Sequence, residues 1–282
     1  MADFGIRNAG ARDIGLMRRW AEEEGWNPGD SDLQAFTVAD PRGFLVGVLD
    51  GEPVGCVSAV RHGAGSGFIG FYITRPAVRG QGYGIRLWRA ATEWLAGRLV
   101  GLDGVVDQQA NYRKSGFERV WNNVRFEGVP QGGPAAVPGV ALVDAGTLPF
   151  TALAAYDRRF FPEDRDAYLA AWTGLPGRTA IAAVRDGGLC GLGVVRPCSG
   201  ASRIGPLYAD GPGVAGALLG ALAGAADGGP VAVDVPDHNG PAVKLVTELG
   251  LLPSFEAARM YTGPAPEIDR AGLYGVTSLE LG

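Results

Sequence analysis

FIGFYITRPAVRGQGYGIRLWRAATEWL, residues 68–95, is the stretch on which the fold turns. Phe68 to Thr74 are aromatic and β-branched and predict a buried strand that Pro76 stops, while Gly80, Gly82 and Gly84 let the backbone turn tightly with its N–H groups exposed. From Gly84 onward Ile85, Trp88, Thr92, Leu95 and Leu99 recur at helical spacing, so the turn empties into a helix whose N-terminal dipole favours an anion. Strand, glycine turn and helix together describe a phosphate cradle.

Several folds build such a cradle, and the flanking residues separate them. No Lys-Ser or Lys-Thr follows Gly84, so a P-loop has nothing to reach a terminal phosphate and magnesium. A dinucleotide fold places the turn in its first unit with an acidic residue about twenty positions on, whereas Gly104 stands there. What remains is the pattern Arg-x-x-Gly-x-Gly, Arg79-Gly80-Gln81-Gly82-Tyr83-Gly84, after a strand ending in Tyr72-Ile73-Thr74. It resembles the acetyl-CoA loop of the GNAT superfamily of N-acetyltransferases. Asn111-Tyr112-Arg113-Lys114-Ser115-Gly116-Phe117 resembles that family's Tyr-x-Lys-x-Gly-Phe signature and follows in the right order.

Composition sets the outer bounds. A chain of 282 residues, 46% apolar, holds enough for two cores, and its net charge of −5 argues against a nucleic-acid groove while mildly favouring cationic substrates. Cys56, Cys190 and Cys198 lie far apart, which predicts no disulfide scaffold and a reducing compartment. Two histidines, His62 and His238, are too few for a histidine-based zinc site, so no metal is expected. The start of the chain lacks an apolar segment of signal-peptide length, and the small-apolar run Val214 to Ala226 is too short to span a bilayer. A cytoplasmic protein with no membrane or nucleic-acid partner is expected, as monomer or homodimer.

Residues 128–139, GVPQGGPAAVPG, are rich in proline and glycine and read as a linker, dividing the chain into 1–128, a junction at 129–140, and 141–282. Across it the sequence repeats loosely at an offset near 135. Phe44 to Arg61 matches Ala180 to Arg196 as a hairpin turning at Asp50-Gly51 and Asp186-Gly187, Ile69-Gly70 matches Ile204-Gly205, and Gly116-Phe117 matches Gly250-Leu251. The second copy lacks the arginine and the Gly-x-Gly. Pro212 removes a donor there, Asp210 repels phosphate, and nothing corresponds to Tyr112. The fold expected is mixed α+β, two tandem GNAT-like domains, each a twisted, mostly antiparallel sheet flanked by helices with splayed central strands. The second is a degenerate copy without an acetyl-CoA site. Glu24 to Gly29, Gly101 to Val105 and Arg203 to Ala209 narrow the resemblance to tandem proteins whose second half is similar to holothin acetyltransferase.

The resemblance implies acetyl transfer to a primary amine of a small molecule, by direct attack on the thioester of acetyl-CoA. An alkylammonium must lose a proton first, at a cost of about 4.5 kcal/mol at neutral pH. The site must accept that proton and return one to the departing thiolate. The family places Tyr112 beside the sulfur, and a phenol suits the second task. Backbone N–H groups around Tyr72, Ile73 and Thr74 are expected to meet the thioester oxygen and to pair with the pantetheine as an added strand. For the proton-accepting group two readings of Asp103 stand side by side, a carboxylate opening toward the cleft and the first residue of an Asp-Gly turn. Trp26 and Asn27, in an irregular loop, and Glu24 beside them are expected at the acceptor wall. A non-catalytic protein that senses acetyl-CoA or an amine is the alternative from another class; it has no use for Tyr112.

Overall fold

A computed structural model describes residues 3–133 and 136–282; Pro134 and Ala135, within the expected junction, lie outside the described residues. The first half runs β1 (Phe4–Asn8), α1 (Ala11–Glu23), α2 (Asp32–Ala39), β2 (Phe44–Leu49), β3 (Glu52–His62), β4 (Ser66–Thr74), α3 (Tyr83–Trp94), β5 (Leu99–Val105), α4 (Gln109–Lys114) and β6 (Glu118–Gly128). The second half repeats the order with β7 (Val140–Asp144), α5 (Phe150–Asp157), α6 (Asp166–Gly174), β8 (Thr179–Arg185), β9 (Gly188–Arg196), β10 (Ser202–Ala209), α7 (Pro212–Ala225), β11 (Val231–Pro236), α8 (Gly240–Glu248) and β12 (Leu252–Tyr261), and adds a short β13 (Leu273–Gly275). The hairpin turns form as the sequence predicts, with Asp50, Gly51, Asp186 and Gly187 all at positive φ. Helix α3 is shorter than its apolar spacing predicts. Positive φ at Gly97 turns the chain after Trp94, and Leu99 opens β5 instead of continuing the helix.

Twelve strands lie side by side in one continuous sheet, in the order β1-β2-β3-β4-β5-β12-β6-β11-β10-β9-β8-β7. The order is a palindrome of the two copies with their sixth strands exchanged. β12 of the second half pairs with β5, β6 of the first half pairs with β11, and β6 and β12 pair antiparallel in the middle. Pairing is antiparallel throughout except for β4–β5 and β10–β11, the two central pairs of the repeat. The covalent boundary at the linker is therefore not where the sheets divide.

One apolar cluster spans both copies. Phe36 from α2 stacks on Trp172 from α6, ring centroids 5.6 Å apart, within a core that also takes Met17, Trp20, Phe44, Phe71 and Tyr168. Buried charge is paired across the halves: Asp32 accepts from Arg178 (2.9 Å) and Arg196 (2.8 Å), both of which lie over the Trp172 ring. A separate cluster under α3, with Leu87, Trp88, Ala91 and Phe117, holds that helix against β3 and β4. It fixes the helix whose N-terminus was expected to meet phosphate.

Candidate active site

The β4–β5 pairing covers only the first part of each strand, from Ser66↔Leu99 to Ile69↔Leu102. Beyond it a bulge interrupts the β3–β4 register, with Phe71 at positive φ, and the two strands part. The wedge between them opens into a cleft bounded by Tyr72, Ile73 and Thr74 on one side and by Val105, Gln108 and Tyr112 on the other. At its outer end Gly80 and Gly82 have φ of +76° and +87°, and each faces open space. Gly82 caps α3 without any side-chain acceptor, so the first N–H groups of the helix remain available. Gly84 is needed for closeness: a Cβ there would meet Thr74 Oγ1 at 2.9 Å and Tyr72 Oη at 3.0 Å. Gln81 and Tyr83 tie the loop down, Gln81 Nε2 donating to Ala77 O and the Tyr83 ring packing at a tilt against Phe4. This uncapped, open turn fits a pyrophosphate.

Arg79 lies at the mouth, its Nε donating to Thr74 O (2.8 Å) and its Nη2 to the Glu24 carboxylate. Glu24 thus sits on the cofactor side of the cleft, paired with the loop arginine, and does not border the inner cavity. Asn27 is turned away too. Its side-chain amide donates to Ser199 O and its main-chain carbonyl accepts from Arg203 Nη1 (3.3 Å), so it ties the first half to the second. Trp26 alone of that loop reaches the inner cavity.

The inner cavity joins the cleft at Trp26, Tyr72, Val105, Tyr112 and Phe255. Tyr112, on α4, is held by Trp88 (ring centroids 5.3 Å) and by the bare backbone of Gly104, where a Cβ would come within 2.8 Å of its ring. Burial, and secondarily the neighbouring Tyr72 phenol, pushes the Tyr112 hydroxyl above the ordinary phenol range, so it is a proton donor at neutral pH.

Asp103 lies inside β5 opposite Arg259, which removes the Asp-Gly turn reading. Its carboxylate borders the cavity, yet both oxygens are engaged. Oδ1 accepts from Arg259 Nε (2.8 Å) and Asn123 Nδ2 (2.9 Å), and Oδ2 accepts from Arg259 Nη2 (2.8 Å). Burial raises its carboxyl above the usual range against the pull of Arg259. The second copy repeats the pair: Asp234 on β11 faces Arg125 on β6, Nε–Oδ1 2.8 Å, at the matching place between fifth and exchanged sixth strands. A pair that recurs in the copy without a cradle is a joint of the fold, and the proton-accepting role expected of Asp103 does not follow from its geometry.

The second copy also has a wedge, after Ile204↔Val233. There β13 fills it, Leu207 pairing with Gly275 and Tyr208 with Leu273, while Val276 N donates to Asp234 O (3.0 Å). Helix α7 begins with Pro212, and Asp210 before it accepts from Tyr156 Oη and pairs with Arg159. In this half a strand of the same chain already takes the place that the first half leaves open.

A family model described as "Acetyltransferase (GNAT) family" matches residues 13–117, and one described as "Acetyltransferase (GNAT) domain" matches 153–275. The holothin acyltransferase of Pseudoalteromonas sp. (strain SANK 73390) is 31% identical over 95% of this chain and 90% of its own. The chain belongs to the GNAT family of acetyltransferases. This GNAT protein is an N-acetyltransferase built of two tandem copies, as the sequence predicts, and its family uses acetyl-CoA as cosubstrate. Its fold is shared with a putative acetyltransferase from Pyrococcus horikoshii (TM-score 0.82, 24% identity, 99% of this chain and 96% of the other). It is shared also with a tandem GNAT protein from the clavulanic acid biosynthesis pathway (TM-score 0.65, 18% identity, 94% and 100%). Among the described residues no helix is long and apolar enough to cross a membrane, and no group of histidine, cysteine and acidic side chains is arranged to hold a metal ion.

Sequence reasoning missed Phe71, Leu102 and Arg125 of the first half and several residues of the second. Phe255 and Ala257 on β12, Leu279 and Glu280 all line the cavity beside Tyr112. Their sequence neighbourhoods carry no motif; the strand exchange brings Phe255 and Ala257 here, and the segment after β13, packed against Gly70, brings Leu279 and Glu280.

Proposed function

We propose that this enzyme transfers the acetyl group of acetyl-CoA to the primary amine of a small molecule by direct attack on the thioester, in one site per chain, in the first half. The single observation that carries the reading is the open wedge that runs from the uncapped turn at Gly82 past Tyr72 and Thr74 to Tyr112 and on into the enclosed cavity. Gly80, Gln81, Gly82, Tyr83 and Gly84 would cradle the pyrophosphate with Arg79 swinging from Glu24 to join it, and the edge of β4 that β5 leaves free at Tyr72, Ile73 and Thr74 would hold the pantetheine. The acceptor enters the cavity past Trp26. Its nitrogen lone pair forms the C–N bond while backbone N–H donors on β4 meet the developing oxyanion. As the C–S bond breaks, Tyr112 gives its proton to the thiolate and recovers one from the nitrogen, which leaves amide and thiol.

Two measurements test this. Calorimetric titration with acetyl-CoA should give one site per chain, lost in Gly82→Asp, which forces a side chain into a left-handed backbone and a negative charge into the cradle. Thiol release from acetyl-CoA in the presence of primary amines should then follow. Binding retained in Gly82→Asp, or two sites per chain, would sink the assignment.

A further inference from the structure

The inner cavity is unusual in how its charge is disposed. Trp26, Phe71, Leu102, Phe255 and Leu279 make its walls apolar, and two of its three carboxylate and guanidinium groups are spoken for. Arg125 is clamped by Asp234 and donates to Trp26 O (3.1 Å), and Asp103 is clamped by Arg259. The third is Glu280. Its side chain is 6% exposed, Oε1 lies 3.5 Å from Arg203 Nη1, and Oε2 is buried without a hydrogen-bond partner among the described residues. Arg203 reaches Glu280 through Oε1 alone, because its Nη2 is drawn to Asp234. A carboxylate oxygen without a donor costs roughly 1–3 kcal/mol or more, and it is kept in place by firm backbone packing: Gly70 leaves room for Glu280 O, which a Cβ at that position would meet at 2.3 Å.

We propose that Glu280 Oε2 is the recognition point for the acceptor's ammonium and takes its first proton, and that the acceptor is a monoamine with a compact, largely apolar body. The inference rests on the acetyl-transfer reading above. A single free acceptor atom in an apolar cavity satisfies one ammonium; a second, as in a polyamine or an aminoglycoside, would be buried without a counter-charge at prohibitive cost. In the proton step an N–H bond breaks, its electron pair stays on nitrogen for the attack, and the proton passes to Oε2 and from there to solvent. Glu280 thus supplies from the second half what Asp103, paired with Arg259, does not.

The test uses the full-length protein saturated with CoA and titrated with benzylamine or with benzyl alcohol, which matches it in shape and lacks the charge. Wild type should bind benzylamine about tenfold or more tightly than the alcohol, the range of a hydrogen bond to a charged group. Glu280→Gln should reduce that preference to within about twofold while leaving the alcohol and acetyl-CoA bound as before. Glu280→Asp, which keeps the charge, should retain part of the preference and serves where the glutamine variant fails to fold. Wild type showing no preference for the amine, or either variant keeping it in full, would overturn the proposal. Loss of acetyl-CoA binding in wild type would instead strike the acetyl-transfer reading, so the two failures are told apart.

Discussion

Tyr112 and Asp103 separate chemistry from architecture. Tyr112→Phe removes the proton donor while keeping the ring packed between Trp88 and Gly104. Turnover should fall by about 100-fold or more with acetyl-CoA affinity within about twofold, read by thiol release and calorimetry. Asp103→Asn should act on folding instead. It leaves the Arg259 guanidinium buried without its counter-charge, and urea unfolding should show a loss of about 3–5 kcal/mol. A stability change under about 1 kcal/mol with activity gone would return Asp103 to the chemistry. The sequence made Tyr112 legible because its signature is local, seven residues from Asn111 to Phe117. Arg259 lies 156 positions from Asp103, and Glu280 contacts Gly70 across a still longer gap, so no spacing rule could have joined them. Glu24, Trp26 and Asn27 were legible as one loop, yet a loop points its side chains three ways. One faces the cofactor mouth, one the cavity and one the other half.

The two wedges show how the same element can be opened or closed. In the first half β4 and β5 part with no strand of the chain between them; in the second β10 and β11 part around β13. One acetyl-CoA per chain is expected at saturation, and a variant whose only change is Gly82→Asp should bind none rather than half. Gly84→Val should weaken acetyl-CoA binding by at least tenfold, because its branched side chain must push α3 away from Thr74 and Tyr72. The sequence reading expects a degenerate second site from the missing Gly-x-Gly and from Pro212. It did not foretell the filling, since three residues, Leu273-Tyr274-Gly275, carry no periodicity of their own. The hairpins and the cradle were legible because turn chemistry is read locally at Asp-Gly and at positive-φ glycines.

At the scale of the whole molecule, buried ion pairs tie stability to pH. Burial alone would raise the carboxyls of Asp32 and Asp234, but Arg196 and Arg178 on the one and Arg125 and Arg203 on the other hold both below the ordinary range. As pH falls through about 4, the unfolded chain takes up protons that these two folded carboxyls refuse. Their stabilisation is therefore complete above that pH and drains below it; Asp103, raised, works in the opposite sense and offsets part of the loss. The urea midpoint should drop between pH 5 and pH 3. The exchanged strands make a second prediction. Residues 1–131 alone lack β12, which covers β5, and β11, which covers β6, and should yield no folded monomer by size exclusion and circular dichroism. The repeat at an offset near 135 announced two copies, but a constant offset is equally compatible with strands kept or traded, and only the register of β6 against β11 distinguishes them. Trading strands has a cost in time. On the ribosome β5 and β6 emerge while β12 is still more than a hundred residues from being made. At ~5–20 residues per second the growing chain must wait on the order of ten seconds with two bare strand edges, and in that interval a chaperone would find its clearest target.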